Sequence, residues 1–192
     1  MKRFAWLAVV PLALIVAIWM SGQVTAMAQE KAAPKAYGYV GVAECKACHS
    51  AEAKGAQFTK WEASKHAHAY KSLLTEQSKQ ICAAKGIKEA PEKATQCLKC
   101  HVAGHGAKAE LLGAKYTIEE GLGCESCHGA AADWKKLHMK DIPGATAAGM
   151  MKPADEKMCK TCHNEESPTY KPFKYAEALA VIAHPNPKKA AK

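Results

Sequence analysis

The sequence predicts a mainly α fold: short helices joined by long loops, with little sheet, in a single domain. Two observations predict it. One five-residue pattern, Cys-x-x-Cys-His, recurs four times along the chain, and the 164 residues after position 28 leave about 41 for each copy. Over the same stretch Phe, Leu, Ile and Val are sparse while Ala, Lys and Gly abound, so the chain cannot bury a large aliphatic core of its own. Whatever the repeated pattern holds must supply that core.

The chain opens with Lys2 and Arg3, an apolar run from Phe4 to Met20, and Ala26-Met27-Ala28 before Gln29. These are the three parts of a secretory signal, with cleavage expected after Ala28, so residues 1–28 are read as a leader. The run also reaches the short end of a membrane span, and a retained anchor is the alternative. Either way the remainder lies outside the cytoplasm: in the periplasm, or anchored facing it, or extracellular. Residues 29–36 read as a flexible N-terminal segment, 37–187 as the domain and 188–192 as a basic tail.

Within the domain, residues 58–74 read as one helix. His66 shares a face with Ala63, Ala69, Tyr70 and Leu73 and so points inward, whereas His68 shares its face with Ser64, Lys65, Lys71, Ser72 and Thr75 and points to water. Residues 75–96, lysine-rich with Gly86 and Pro91, read as a loop between two helices. In 133–141 Trp134 lies one turn before His138 on the same side. The apolar stretch 176–184 reads as a helix stopped by Pro185, with His184 at its end.

Nine cysteines in an exported chain would first suggest disulfides. Their arrangement argues for another chemistry. Eight of them fall in Cys45-x-x-Cys48-His49, Cys97-x-x-Cys100-His101, Cys124-x-x-Cys127-His128 and Cys159-x-x-Cys162-His163. This is the attachment signature of c-type haem: two thiols a helical turn apart add to the vinyl groups of one porphyrin edge, and the next residue, histidine, lies under the iron. A Cys-x-x-Cys pair is also half a zinc cage, but histidine in the same place four times favours four covalently bound haems c. The fold expected is then short helices and long loops wrapped round four stacked macrocycles. Cys82 is left over, either a small buried hydrophobe or a thiol available for an intermolecular bond.

Five histidines remain as second axial ligands: His66, His68, His105, His138 and His184. The helical-face argument favours His66 over His68. His138 follows the third motif beside Trp134, with a surface histidine as the bland alternative, and His184 could instead cap its helix. Met150, Met151 or Met158 could supply a thioether in place of an imidazole. His105 follows His101 by only one turn on the same side of the ring, too little chain to cross to the opposite face. It is left to ligate another haem, to hydrogen-bond a propionate, to face solvent, or to act as a candidate proton donor at an open iron on His101.

The blocks YVGVAECKACH, KWEASKHAHA, CLKCHVAG and GLGCESCHG, followed by a late Cys-x-x-Cys-His and a terminal helix with one histidine, resemble the tetrahaem cytochrome c-554 family from about Tyr37 to His184. The most specific parts are Trp61 with His66 and the block Gly121 to Gly129. The resemblance implies electron carriers that accept electrons from hydroxylamine oxidoreductase. It implies three bis-histidine haems, with His66, His138 and His184 as distal ligands, and a five-coordinate haem on His101. His105 stands where an aromatic is expected in that family, and the span between the third and fourth motifs is shorter here.

The leading expectation is therefore a periplasmic relay of electrons between redox proteins. The alternatives are a small nitrogen-oxide redox enzyme at an open haem, with nitric oxide reduction as a side activity, and a subunit of a larger cytochrome assembly. A nitrite or sulfite reductase is disfavoured, because Arg3 is the only arginine and does not survive cleavage. Removal of the leader takes the formal charge from +9 to +7, all of the mature cationic charge being lysine. Lysine suits diffuse attraction to an acidic docking surface better than bidentate clamping. Nucleic acid is not expected as a partner, membrane contact only if the leader is retained, and oligomers are allowed.

Overall fold

The computed structural model describes residues 35–151, 155–184 and 187. The leader, almost all of the 29–36 segment and the tail 188–192 lie outside the described residues. From Ala36 onward the chain forms one compact unit, which holds all four motifs.

Nine short α-helices follow one another among the described residues of that unit: α1 Val42–His49, α2 Gln57–Glu62, α3 Ala69–Leu73, α4 Glu76–Ala84, α5 Thr95–His101, α6 Glu125–His128, α7 Ile142–Ala147, α8 Glu156–Cys159 and α9 Tyr175–Ile182. Single 3-10 turns at Glu52–Lys54, Ala109–Leu111, Ile118–Glu120 and Leu137–Met139 punctuate the loops. The one extended pairing described is an isolated parallel bridge between Tyr39 and Leu112. The fold is thus mainly α, as expected. None of the described helices is long and apolar enough to cross a membrane.

Side-chain oxygens start several helices by taking an otherwise unpaired backbone N–H. Thr75 accepts from Ser78 N at 3.3 Å, Asp141 from Gly144 N at 2.8 Å and Asp155 from Met158 N at 2.8 Å. At α1 the cap comes from a distance. Gly41 at its start has φ 87, and a Cβ there would sit 2.5 Å from the carbonyl oxygen of Lys115, so no larger side chain fits. The Glu120 carboxylate takes the Val42 N–H at 3.0 Å instead.

Three expectations fail. Residues 58–74 are not one helix: α2 ends at Glu62, turns follow, and α3 resumes at Ala69. The cause is the loop at Gly121 and Leu122, which packs into the break. Leu122 N donates to the His66 carbonyl at 3.1 Å, and the Trp61 indole N–H donates to the Leu122 carbonyl at 2.9 Å. Residues 75–96 are not a loop throughout either, because α4 occupies Glu76–Ala84 behind its Thr75 cap. The last helix also stops early, at Ile182, two residues before His184.

The protein's own core is small. Tyr70, Leu73 and Val102 bury one another with Cys97 and Leu98 beside them, and Ala131, Trp134 and Ala145 form a second cluster with Val40, Ala148 and Met150. Among the described residues no large side chain is completely sequestered. A frame this thin leaves the interior to whatever its cysteines carry.

Candidate haem-binding site

Each of the first three motifs lies on a helix that ends at its histidine: α1 at His49, α5 at His101 and α6 at His128. In the fourth, α8 stops at Cys159 and a turn carries the chain to His163. A helical turn sets the two thiols of each motif on one side and the histidine beside them.

The motifs are brought together in pairs. Cys45 and Cys124 hydrogen-bond to each other; that bond first, with burial second, drives the Cys45 thiol pKa far up, and the same bond, against burial, pulls that of Cys124 down. Cys100 lies against Cys162, and burial, with that neighbour next, pushes Cys100 up to about 11. The first motif thus sits beside the third, and the second beside the fourth. Ion pairs lie near the same couples. Glu44 bridges Lys115 at 2.7 Å and also Lys135, and Lys99 reaches Glu166 at 2.5 Å.

Three of the five surplus histidines face motif histidines. His49 and His138 have ring centroids 6.1 Å apart, His66 and His163 6.0 Å, and His128 and His184 5.9 Å. Two imidazoles bonded at about 2 Å to opposite faces of one metal have centroids about 6 Å apart. The common spacing therefore leaves room for one iron in each pair. Burial, then the neighbouring His163, holds His66 below the usual histidine range; burial, then His184, His49 and His138, does the same for His128. Both are kept neutral, which is the form that binds metal.

The second ring nitrogens are consistent with ligation through the first. His49 Nδ1 meets the Gln57 side-chain oxygen at 3.1 Å, His101 Nδ1 meets the Ala69 carbonyl at 2.7 Å and Ser72 Oγ at 3.2 Å, and His184 Nδ1 meets the Ile182 carbonyl at 3.3 Å. His138 Nδ1 and Trp134 Nε1 are buried with no partner. A buried imidazole nitrogen without a partner, in a ring that faces another imidazole, suits an axial ligand. The residues present fit four covalent haems.

His101 differs. Among the described residues no ring faces it at the spacing the other three share, and α3 supports it from one side through Ala69 and Ser72. His105, four residues on, is half-buried, and no side-chain hydrogen bond or ring contact is described for it. His68 is exposed and His66 half-buried, the arrangement expected, although a break in the helix and not its phase produces it. Cys82 is buried, with its sulfur 3.9 Å from Cys97.

The pairing of the histidines carried no signal in the sequence, because each pair joins segments far apart in the chain. Two carboxylates were also missed. Glu125, inside the third motif, is buried and accepts the backbone N–H groups of Val40, Gly41 and Ala131 at 2.7–3.1 Å. Glu120 takes that of Val42, and burial raises its pKa.

Four attachment motifs on a thin helical frame define a multihaem c-type cytochrome. Residues 44–129 match the family described as "Cytochrome c554 and c-prime". Cytochrome c-554 of Nitrosomonas europaea is 32% identical over 145 residues, spanning 65% of this chain and 57% of the relative. The chain thus spans little more than half the length of that curated relative. A solved structure of reduced cytochrome c554 from the same organism matches at 26% identity with a TM-score of 0.49, covering 82% of this chain and 84% of that one. The family match covers the first three of the four attachment motifs, and the four motifs together specify four covalently bound haems c.

Proposed function

We propose that this protein relays electrons between redox partners in the periplasm, through haems attached at Cys45 and Cys48, Cys97 and Cys100, Cys124 and Cys127, and Cys159 and Cys162. His49 with His138, His163 with His66, and His128 with His184 would hold three of the irons from both faces. His101 would hold the fourth from one face. The observation that carries this reading is the set of three facing imidazole pairs at 5.9–6.1 Å. When bound, haem supplies one-electron exchange at iron, and an iron held from one face also offers a position to a small ligand.

The residues' part is to keep that exchange cheap. Two imidazoles fixed by the fold would change little when the charge at the centre changes, and the pairing of motif one with three and two with four would set the attached groups beside each other for electrons to pass. The basic surface suits acidic redox partners. Export follows from the leader read at residues 1–28. A second reading, nitrogen-oxide chemistry at the haem on His101, is favoured because no imidazole faces His101 among the described residues, with His105 as the nearby imidazole that could move a proton.

Spin-state spectroscopy of the oxidised holoprotein tests both readings. About one high-spin haem in four is expected, with rapid binding of about one equivalent of nitric oxide after reduction. His66→Ala, His138→Ala and His184→Ala should each convert one further haem to high spin, and His68→Ala should convert none. Four low-spin haems in the wild type would remove the open site, and a change with His68→Ala would remove the ligand assignment.

A further inference from the structure

His101 meets two oxygens through one ring nitrogen. Its Nδ1 lies 2.7 Å from the Ala69 carbonyl and 3.2 Å from Ser72 Oγ. By contrast His49 Nδ1 meets the Gln57 side-chain oxygen and His184 Nδ1 the Ile182 carbonyl. Ser72 also donates its hydroxyl hydrogen to the Ala69 carbonyl, at 2.7 Å. One carbonyl oxygen therefore serves two donors, an imidazole and a hydroxyl, and the three polar atoms close a triangle.

Both oxygens of that triangle are held by the fold. Ala69 and Ser72 lie three residues apart in α3, and the serine bonds back onto the carbonyl of the preceding turn. Tyr70 and Leu73 of the same helix are buried with Val102, the residue after His101. Ala69 N donates to the His66 carbonyl at 3.2 Å and Ser72 N to the His68 carbonyl at 3.1 Å. On the other side the Ser72 carbonyl accepts Thr75 Oγ1 at 2.8 Å and Ser78 Oγ at 2.7 Å.

The arrangement bears on what kind of ligand His101 is. With Nε2 turned to the iron, Nδ1 carries the ring proton and donates it. The shorter contact makes the Ala69 carbonyl its acceptor. A carbonyl oxygen can accept twice, but a second donor on it draws away density that the imidazole N–H would otherwise use. A strong acceptor at the far nitrogen makes a histidine more basic and favours oxidised metal; a weakened acceptor does the reverse. No carboxylate hydrogen-bonds to His101 among the described residues, so no charged acceptor overrides this balance.

We propose that Ser72 is a positioning residue for the haem of the second motif. By occupying part of the Ala69 carbonyl it keeps His101 a neutral, weaker donor, and it fixes the ring's orientation from a second point. The proposal rests on the reading of His101 as a ligand that holds its iron from one face. It adds what biases that iron toward the reduced state, the form that takes neutral diatomic ligands in preference to anions.

The test is resonance Raman spectroscopy of the dithionite-reduced holoprotein, whose iron–histidine stretch comes from five-coordinate iron, together with spectroelectrochemical titration of all four haems. Ser72→Ala should move the stretch to higher frequency and lower one of the four midpoint potentials. Ser72→Cys, a weaker donor of similar size, should do the same in part, and it carries the test if Ser72→Ala does not assemble. Ser72→Thr keeps the hydroxyl and should leave both readings at their wild-type values. Ser78→Ala loosens the same turn without touching the triangle and should also leave both unmoved. A stretch and potentials that stay put when the hydroxyl is lost, or that move the opposite way, would overturn the proposal. So would equal shifts in Ser78→Ala, which would make the effect one of packing. A wild type with no iron–histidine stretch would instead remove the open face at His101, and the role of Ser72 would then be decided by whether one potential falls in Ser72→Ala and is restored in Ser72→Thr.

Discussion

Gln57 is the side chain on which one haem's potential should depend most directly. Its amide oxygen takes the Nδ1–H of His49 at 3.1 Å, while its amide nitrogen is held by the Lys54 carbonyl at 2.5 Å, which fixes the amide's orientation. A histidine that donates its far N–H becomes a more basic ligand and favours the more oxidised metal. Gln57→Leu should therefore raise the potential of the haem on His49. At about 1 kcal/mol for the hydrogen bond, and about 59 mV for each 1.4 kcal/mol of a one-electron couple, the rise is about 40 mV. Spectroelectrochemical titration measures it, and a fall would refute the sign. At this scale the sequence was readable wherever chemistry is local: the four motifs announce themselves, and nine histidines leave few candidates for the remaining faces. It was unreadable where partners are distant in the chain. Neither the facing of His66 with His163 nor the engagement of Gln57 by His49 has a pattern in the sequence.

Among the elements, the N-terminus of α1 is held by a carboxylate from the third motif. Glu125 receives three backbone N–H groups from two separate loops, at Val40, Gly41 and Ala131. Removing a buried acceptor strands each donor at about 1–3 kcal/mol. Glu125→Ala should accordingly cost about 3 kcal/mol or more in denaturant unfolding of the holoprotein, and Glu125→Gln, which keeps one acceptor oxygen, distinctly less. Equal losses would mean that volume, not hydrogen bonding, is at stake. Nothing in Cys-Glu-Ser-Cys-His marks that glutamate, since the positions between the cysteines are free in the motif's chemistry. By contrast α4 left a legible cue in Thr75, a capping residue followed three positions later by the Ser78 N–H it receives, but its lysines and exposed surface suggested a loop. The break between α2 and α3 could not have been found in the residues it interrupts, because the loop that causes it belongs to Gly121 and Leu122.

Across the whole molecule, ion pairs join segments distant in the chain over the thin frame. Glu44, next to Cys45, takes Lys115 and Lys135 together, and their hydrogen bonds, Lys115 first and Lys135 second, hold its carboxyl well down, at about 2 against an ordinary 4.5. A carboxylate whose folded pKa is depressed stabilises the fold fully above its unfolded value and loses that contribution as the pH falls through the folded one. The window is therefore from about 4.5 down to about 2. Axial histidines also take up protons as a haem protein is acidified, so the informative quantity is the difference between wild type and Glu44→Gln. That difference should favour the wild type at neutral pH, shrink through the window and vanish near its lower end, with the helix signal and the Soret band followed together. Added salt should reduce it at every pH, since the pair is screened over about a Debye length. A difference that stayed constant with pH would show that Glu44 contributes packing alone, and that the first and third motifs are held together by the Glu125 hydrogen bonds and the haems instead.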